Sequence, residues 1–185
     1  MREIVVVGHD LGSKNYGWAV VRGRLNKSQI SLHVIENGML LNPIQQLKRR
    51  KQLDRHLQKY LEECQSHISQ HKAEFLIAER FQSRGLRGLT VELVGLMLGA
   101  LWWDLELPKQ LVAAVTWKNE IKKWGVDLDK VYKKSRTQRH QVDAMFLAIY
   151  AIIKILKAPR QKLKLGHLIK DLESTSKARL INRRR

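Results

Sequence analysis

The sequence predicts an α/β fold: a mixed five-stranded sheet with helices packed on it. Three observations carry that prediction. Apolar, largely β-branched runs follow one another at the N-terminus, which gives the sheet an antiparallel start. Two further short apolar strands then alternate with long helical stretches. The chain of 185 residues contains no internal repeat and no linker, and 44% of it is apolar, enough for one sizeable core.

Glu3 to Val7 reads as a buried strand, broken by the turn His9-Asp10-Leu11-Gly12-Ser13. Gly17 to Val21 reads as its hairpin partner and Ile30 to Ile35 as a third strand, with Asn37-Gly38 as a turn signal after it. Pro43 opens a long polar helix reaching about His71, because proline is tolerated in a first helical turn. Phe75 to Ala78 is a fourth strand closed by Glu79. Thr90 to Leu105 is a helix apolar on nearly every side, which fits burial against the core on one face and a second subunit on the other. Leu111 to Val115 is a fifth strand, Trp117 to Trp124 a short helix and Gly125 to Asp129 a turn. The last helix runs from near Lys134 to Leu156, with Val142, Phe146, Ile149, Ile153 and Leu156 at helical spacing. Residues 1–157 are expected to form the folded domain, and 158–185 a basic tail ending in Arg183-Arg184-Arg185.

Lys and Arg number 35 against 17 Asp and Glu, a net charge of +18. So large an excess opposes compaction and suits a polyanionic partner. It argues against an enzyme for small neutral metabolites, and the apolar content with five Trp argues against a disordered basic tail protein. Cys64 stands alone, so neither a disulfide framework nor a thiolate zinc site is expected. The apolar run at the N-terminus is too short for a signal peptide, and Val91 to Trp103 is too short for a bilayer span. A cytoplasmic protein that meets nucleic acid rather than membrane is expected.

Acidic residues are scarce, so their placement is informative. Asp10 follows one buried strand and Glu79 closes another, while Asp143 lies on the last helix three residues after His140, on the same helical face. A carboxylate at a buried strand end is unfavourable unless solvated, paired or metal-bound. Converging oxygen ligands of this kind suit Mg²⁺, with Mn²⁺ as a substitute, and a basic protein holding a carboxylate cluster describes a nuclease.

The stretch Val5-Val6-Val7-Gly8-His9-Asp10-Leu11-Gly12-Ser13-Lys14-Asn15-Tyr16-Gly17-Trp18 resembles the first motif of the RuvC-type Holliday junction resolvases, members of the ribonuclease H-like superfamily. Phe75 to Glu79 is similar to the second motif, an apolar strand ending in an acid. Arg139-His140-Gln141-Val142-Asp143-Ala144 is similar to the last, and Val115-Thr116-Trp117-Lys118 to the strand-to-Lys segment of phage and mitochondrial relatives. The small phage-encoded branch is nearest in look. The resemblance implies a ribonuclease H-like sheet and a homodimer that makes paired nicks in branched DNA, leaving 5′-phosphate and 3′-hydroxyl ends. It implies that Asp10, Glu79 and Asp143 ligate the metal, that His140 is the fourth site residue, as a metal ligand or as a group near the attacked phosphate, and that Lys118 meets the scissile or a neighbouring phosphate. The sequence departs from the bacterial enzymes after the acid. Phe81 comes two positions beyond Glu79, where those enzymes carry an aromatic three positions beyond that helps open the junction.

Each motif also has a plainer reading. Asp10 before a glycine turn could cap that turn, Glu79 could pair with any arginine, and His140 could be solvated. Lys48, Arg49, Arg50 and Lys51 could be a solvated helix face, although few acids balance them. Together with Phe81, Arg84, Lys118, Lys122, Lys133, Lys134 and Arg136 they are the candidate DNA contacts. Trp117 and Trp124 read as anchors of their short helix, and Met97 and Met145 as core. The rival functions are a ribonuclease H-like enzyme on RNA–DNA hybrid or structured RNA, a non-catalytic junction-binding protein, and a sugar-kinase or actin-like phosphotransferase. The last normally needs two such domains.

Overall fold

The computed structural model describes residues 1–12, 15–41, 50–80, 89–135 and 138–180. Strands β1 (Arg2–Leu11), β2 (Asn15–Asn26) and β3 (Gln29–Leu41) form an antiparallel meander. Helix α1 (Arg50–His71) leads to β4 (Phe75–Glu79), and α2 (Leu89–Asp104) to β5 (Lys109–Val112). Helices α3 (Ala114–Lys123), α4 (Leu128–Lys134), α5 (Arg139–Leu156) and α6 (Leu165–Ser174) follow, and β6 (Ser176–Leu180) closes the described chain. The sheet order is β5-β4-β1-β2-β3-β6, with β4 parallel to β1, β5 parallel to β4 and β6 parallel to β3.

The five expected strands are all present in this mixed sheet, with helices on both faces. The first three run longer than expected, and Asn37-Gly38 lies inside β3, paired with β2, rather than in a turn. The β5 strand begins two residues early, and Leu128 and Asp129 start a short helix where a turn was expected. The last helix starts at Arg139 rather than near Lys134. Beyond Leu156 the chain carries α6, which packs Leu168 and Leu172 into the core, and β6, which extends the β3 edge as a sixth strand. Asn37 Nδ2 donates to the Leu172 carbonyl at 2.7 Å and to Thr175 Oγ1 at 2.8 Å, fastening α6 to the sheet.

Alternation along β1 divides the core. Val5, Val7 and Leu11 face a cluster with Tyr60 and Cys64 of α1 and Leu93, Met97 and Leu101 of α2. Ile4 and Val6 face the opposite cluster, built on α5 with Trp117 and Ile121 of α3. Because strand side chains alternate with period two, Asp10 shares the face of Val6 and lies on the α5 side. On β4, Ile77 belongs to the α5 cluster while Leu76 and Ala78 belong to the other, so Glu79 also lies on the α5 side.

Glycines set how near α5 comes. A Cβ on Gly8 would overlap the Ala144 carbonyl oxygen, and one on Gly17 the His140 carbonyl oxygen. The helix backbone therefore rests directly on β1 and β2. Gln141 Nε2 donates to Asn37 Oδ1 at 2.7 Å and ties the first turn of α5 to β3. That turn carries His140 and Asp143.

Candidate active site

Strands β1 and β4 run in parallel with Gly8 opposite Ile77 and His9 opposite Ala78. One residue further on, at neighbouring strand ends, stand Asp10 and Glu79. The carboxyl ends of parallel strands are where open α/β sheets place their sites. The first turn of α5 brings His140 and Asp143 to the same end. The His140 ring, through Nδ1, is hydrogen-bonded to Asp10 Oδ2 at 2.7 Å. A Cβ on Gly12 would crowd the His140 ring, so the glycine after β1 leaves room for the imidazole.

Helix α3 supplies two donors. Trp117 Nε1 donates to Glu79 Oε2 at 2.8 Å, and Lys118 Nζ donates to Asp143 Oδ2 at 3.3 Å. The Lys118 ammonium also lies 4.9 Å from the Trp117 ring centroid. Helix α4 supplies a third donor: the Tyr132 hydroxyl donates to Asp143 Oδ1. The Arg139 guanidinium covers the Tyr132 ring at 4.6 Å.

The electrostatics follow from this arrangement. Burial and then the Asp10 charge raise the Glu79 carboxyl above its ordinary range, with Asp143 adding to the rise and the Trp117 and Lys118 contacts opposing it. Burial also raises Asp143, with Asp10 adding to the rise and Tyr132 and Lys118 opposing it. The bond to Asp10 raises His140 against its burial, so the imidazolium is favoured. Burial and the Asp143 charge hold the Tyr132 hydroxyl well above the usual phenol range, which keeps it a donor.

Asp10, Glu79, His140, Asp143 and Lys118 are thus brought together as the sequence reading expects. Among the described residues, no three His, Cys, Asp or Glu side chains close around one point as a metal ion requires. The hydrogen bonds give the reason: Asp10 is turned onto His140, Glu79 onto Trp117, and Asp143 onto Lys118 and Tyr132. The donor set nonetheless fits a hard divalent cation. It comprises three carboxylates, which His140 could join only by giving up its Nε2 proton, and two of the carboxylates are destabilised by a neighbouring acid, a repulsion that a cation relieves.

Of the candidate DNA contacts, Lys122 lies one turn beyond Lys118 on α3. Both line an open groove of about 480 Å³ with Asn119, Asp127 and Asp129. Lys133 and Lys134 are exposed at the end of α4. Lys48, Arg49, Phe81, Arg84 and Arg136 lie outside the described residues, as do Ser13 and Lys14 of the first motif; Arg50 and Lys51 open α1, and their side chains are not described. Trp117, Trp124, Met97 and Met145 are buried, as expected, whereas Trp103 is 86% exposed. Sequence reasoning missed Tyr132 and the donor role of Trp117. Trp117 sits next to Lys118 in a segment already singled out. Tyr132 offers no comparable signal, because its reach to Asp143 depends on how α4 docks.

No family model matches the chain, and no curated protein sequence matches it. Among solved structures it is similar to Thermus thermophilus RuvC in complex with a Holliday junction substrate. That match has a TM-score of 0.61 at 19% identity and covers 83% of this chain and 96% of that one. A second structure of Thermus thermophilus RuvC matches with a TM-score of 0.62 at 18% identity, covering 85% of this chain and 99% of the other. The likeness shows that the chain has the RuvC fold, the ribonuclease H-like sheet that the sequence motifs imply.

Proposed function

We propose that this chain is a Holliday junction resolvase: a divalent-metal-dependent endonuclease that makes paired, symmetric nicks in four-way DNA. One observation carries the reading. On the RuvC fold, Asp10 and Glu79 stand at neighbouring ends of parallel strands, close enough to Asp143 of α5 for their charges to interact, in a protein of charge +18. The relative solved with its substrate holds a Holliday junction.

Asp10, Glu79 and Asp143 would hold the metal, Mg²⁺ or Mn²⁺. Such an ion, when bound, activates water and stabilises charge on the phosphate oxygens. The side chains do the rest. His140, fixed by Asp10 through Nδ1, has Nε2 left for one of two roles: neutral, it would ligate the metal; protonated, it would donate to a phosphate oxygen or the leaving 3′-oxygen. Lys118 exchanges Asp143 for a phosphate oxygen, since its ammonium is already beside the site. Lys122, Lys133 and Lys134 extend positive charge along the path of the DNA backbone, where contacts position the duplex without reading bases. Catalysis of this kind is mostly positioning and charge stabilisation.

A second copy is proposed to dock on α2. This helix is apolar on nearly every side, and its face away from the sheet leaves Leu96 40% exposed and Trp103 86% exposed, with Glu92 on the same face. A twofold pair built this way would present two sites to a fourfold junction.

The test is cleavage of end-labelled four-way junction, Y-fork, linear duplex and RNA–DNA hybrid with Mg²⁺ and with EDTA. Paired nicks in the junction are expected, absent in EDTA and reduced at least a hundredfold in Asp10→Asn. Preferential cutting of the hybrid would move the protein to the RNA-directed class. Tight junction binding without cutting under any metal would leave a binding protein only.

A further inference from the structure

Among the described residues, Asp143 differs from the other two carboxylates in having both oxygens held. Tyr132 holds Oδ1 and Lys118 holds Oδ2, the latter at 3.3 Å. The two donors are not equivalent. Lys118 is a cation on a flexible stem, and its side chain is partly exposed. Tyr132 is neutral and is built in. Its neighbour Val131 anchors α4 in the core, and Arg139 of the α5 first turn covers its ring at 4.6 Å. A divalent cation bound at Asp143 would repel the ammonium but not the neutral phenol. Carboxylates that ligate metals are commonly oriented by such an outer hydrogen bond, and losing it typically weakens binding 10–100-fold.

We propose that Tyr132 is a positioning residue for Asp143: its hydroxyl fixes Oδ1, so that Oδ2, now shared with Lys118, is the oxygen offered to a divalent cation. The inference rests on the metal-dependent reading above and adds a division of labour to it. Lys118 acts as a stand-in charge on Oδ2 in the absence of the cation and is released to the phosphate when one binds. Tyr132 stays in place in both states, and Arg139 keeps its ring from turning away.

The experiment is Mn²⁺ binding to the full chain without DNA, read from the electron paramagnetic resonance of free Mn²⁺. Wild type, Tyr132→Phe, Lys118→Met and Asp143→Asn are compared, with melting of each in EDTA alongside. Asp143→Asn is expected to lose the binding. Tyr132→Phe should bind about tenfold more weakly or worse, and its EDTA melting should stay close to wild type. Lys118→Met should bind Mn²⁺ at least as tightly as wild type, although its junction cleavage falls. Cleavage by Tyr132→Phe should be depressed at limiting Mn²⁺ and return to within about twofold of wild type at saturation, which a merely structural defect would not do. Tyr132→Phe binding within twofold of wild type while Asp143→Asn loses the ion would overturn the role of Tyr132 and leave the metal reading standing. A Tyr132→Phe cleavage defect that saturation does not relieve would overturn it equally. Weaker binding by Lys118→Met would overturn the assignment of Oδ2. Wild type that binds no Mn²⁺ would overturn the inference together with the reading beneath it.

Discussion

Glu79 accepts a hydrogen bond from Trp117 and still has its pKa raised, because burial and the charges of Asp10 and Asp143 outweigh that bond. Its ionised form therefore works against the fold, as expected of a residue kept for a ligand. In EDTA at neutral pH, Glu79→Gln should melt above wild type, and added Mg²⁺ should shrink or reverse the gap; calorimetry under the two conditions checks both. Cys64 is the opposite case, a group the site does not use. It is buried on α1 beneath the other face of the sheet, and burial pushes its thiol up to about 12 from 9.0. A raised acid stabilises the fold fully below the unfolded-state pKa and loses that contribution as pH climbs through the folded value. Between pH 9 and 12 Cys64 should thus account for about 4 kcal/mol of lost stability, and Cys64→Ala should flatten urea titrations over that window. In native protein at pH 8 the thiol should resist a disulfide-exchange reagent and react only on unfolding. At this scale the sequence was informative where chemistry is local. An acid at the end of an apolar strand is visible in the letters. The bond from Tyr132 to Asp143 is not, since it joins helices whose relative placement no period encodes.

The contact of α5 with β1 and β2 is where element geometry becomes site geometry. Gly17 lies under the His140 carbonyl and Gly8 under that of Ala144. Gly17→Ala would force the helix off the sheet at its first turn, where His140 and Asp143 sit. It should destabilise by about 3 kcal/mol and depress cleavage beyond what the stability loss explains. Gly99 on α2 is the control. A Cβ there meets nothing within 4 Å, so Gly99→Ala should stabilise the monomer by up to about 1 kcal/mol through helix propensity. Paired denaturation curves separate the two. The continuous apolar runs foretold β1 and β4 as buried strands but not which face each residue takes, and the apolar stripe at helical spacing foretold α5. Asn37-Gly38 misled because a turn dipeptide is a local preference, overridden here by continued pairing with β2. Helix α4 escaped because seven residues are too few for a helical period, and its start depends on the Asp127 side chain accepting the Lys130 N–H at 3.2 Å.

For the molecule as a whole, charge and core divide the chain differently than composition suggests. The tail read as a basic arm because nine Lys and Arg crowd it. Yet Leu163, Leu168 and Leu172 within it are buried, and Asn37 is bonded to α6 and the residue after it. Three leucines spread among lysines give too thin a stripe to announce a core helix. Truncation at Pro159 would remove core, so weaker DNA binding by that variant would report unfolding as much as lost contacts. Sharper substitutions are Lys122, Lys133 and Lys134 to Gln, which leave the core untouched, since all three side chains are exposed on α3 and α4. Each phosphate contact adds about 0.9 to the slope of log K against log salt. If these lysines track the backbone beside the site, the triple variant should bind junction more weakly with a slope lower by about 2 to 3, while its melting temperature stays within a degree or two. Removing 181–185, which takes away Arg183, Arg184 and Arg185, provides the comparison. A slope that falls with the arginines and not with the lysines would put the phosphate path at the chain terminus instead of along α3 and α4. The two truncation and substitution series therefore locate the DNA on the protein without a structure of the complex.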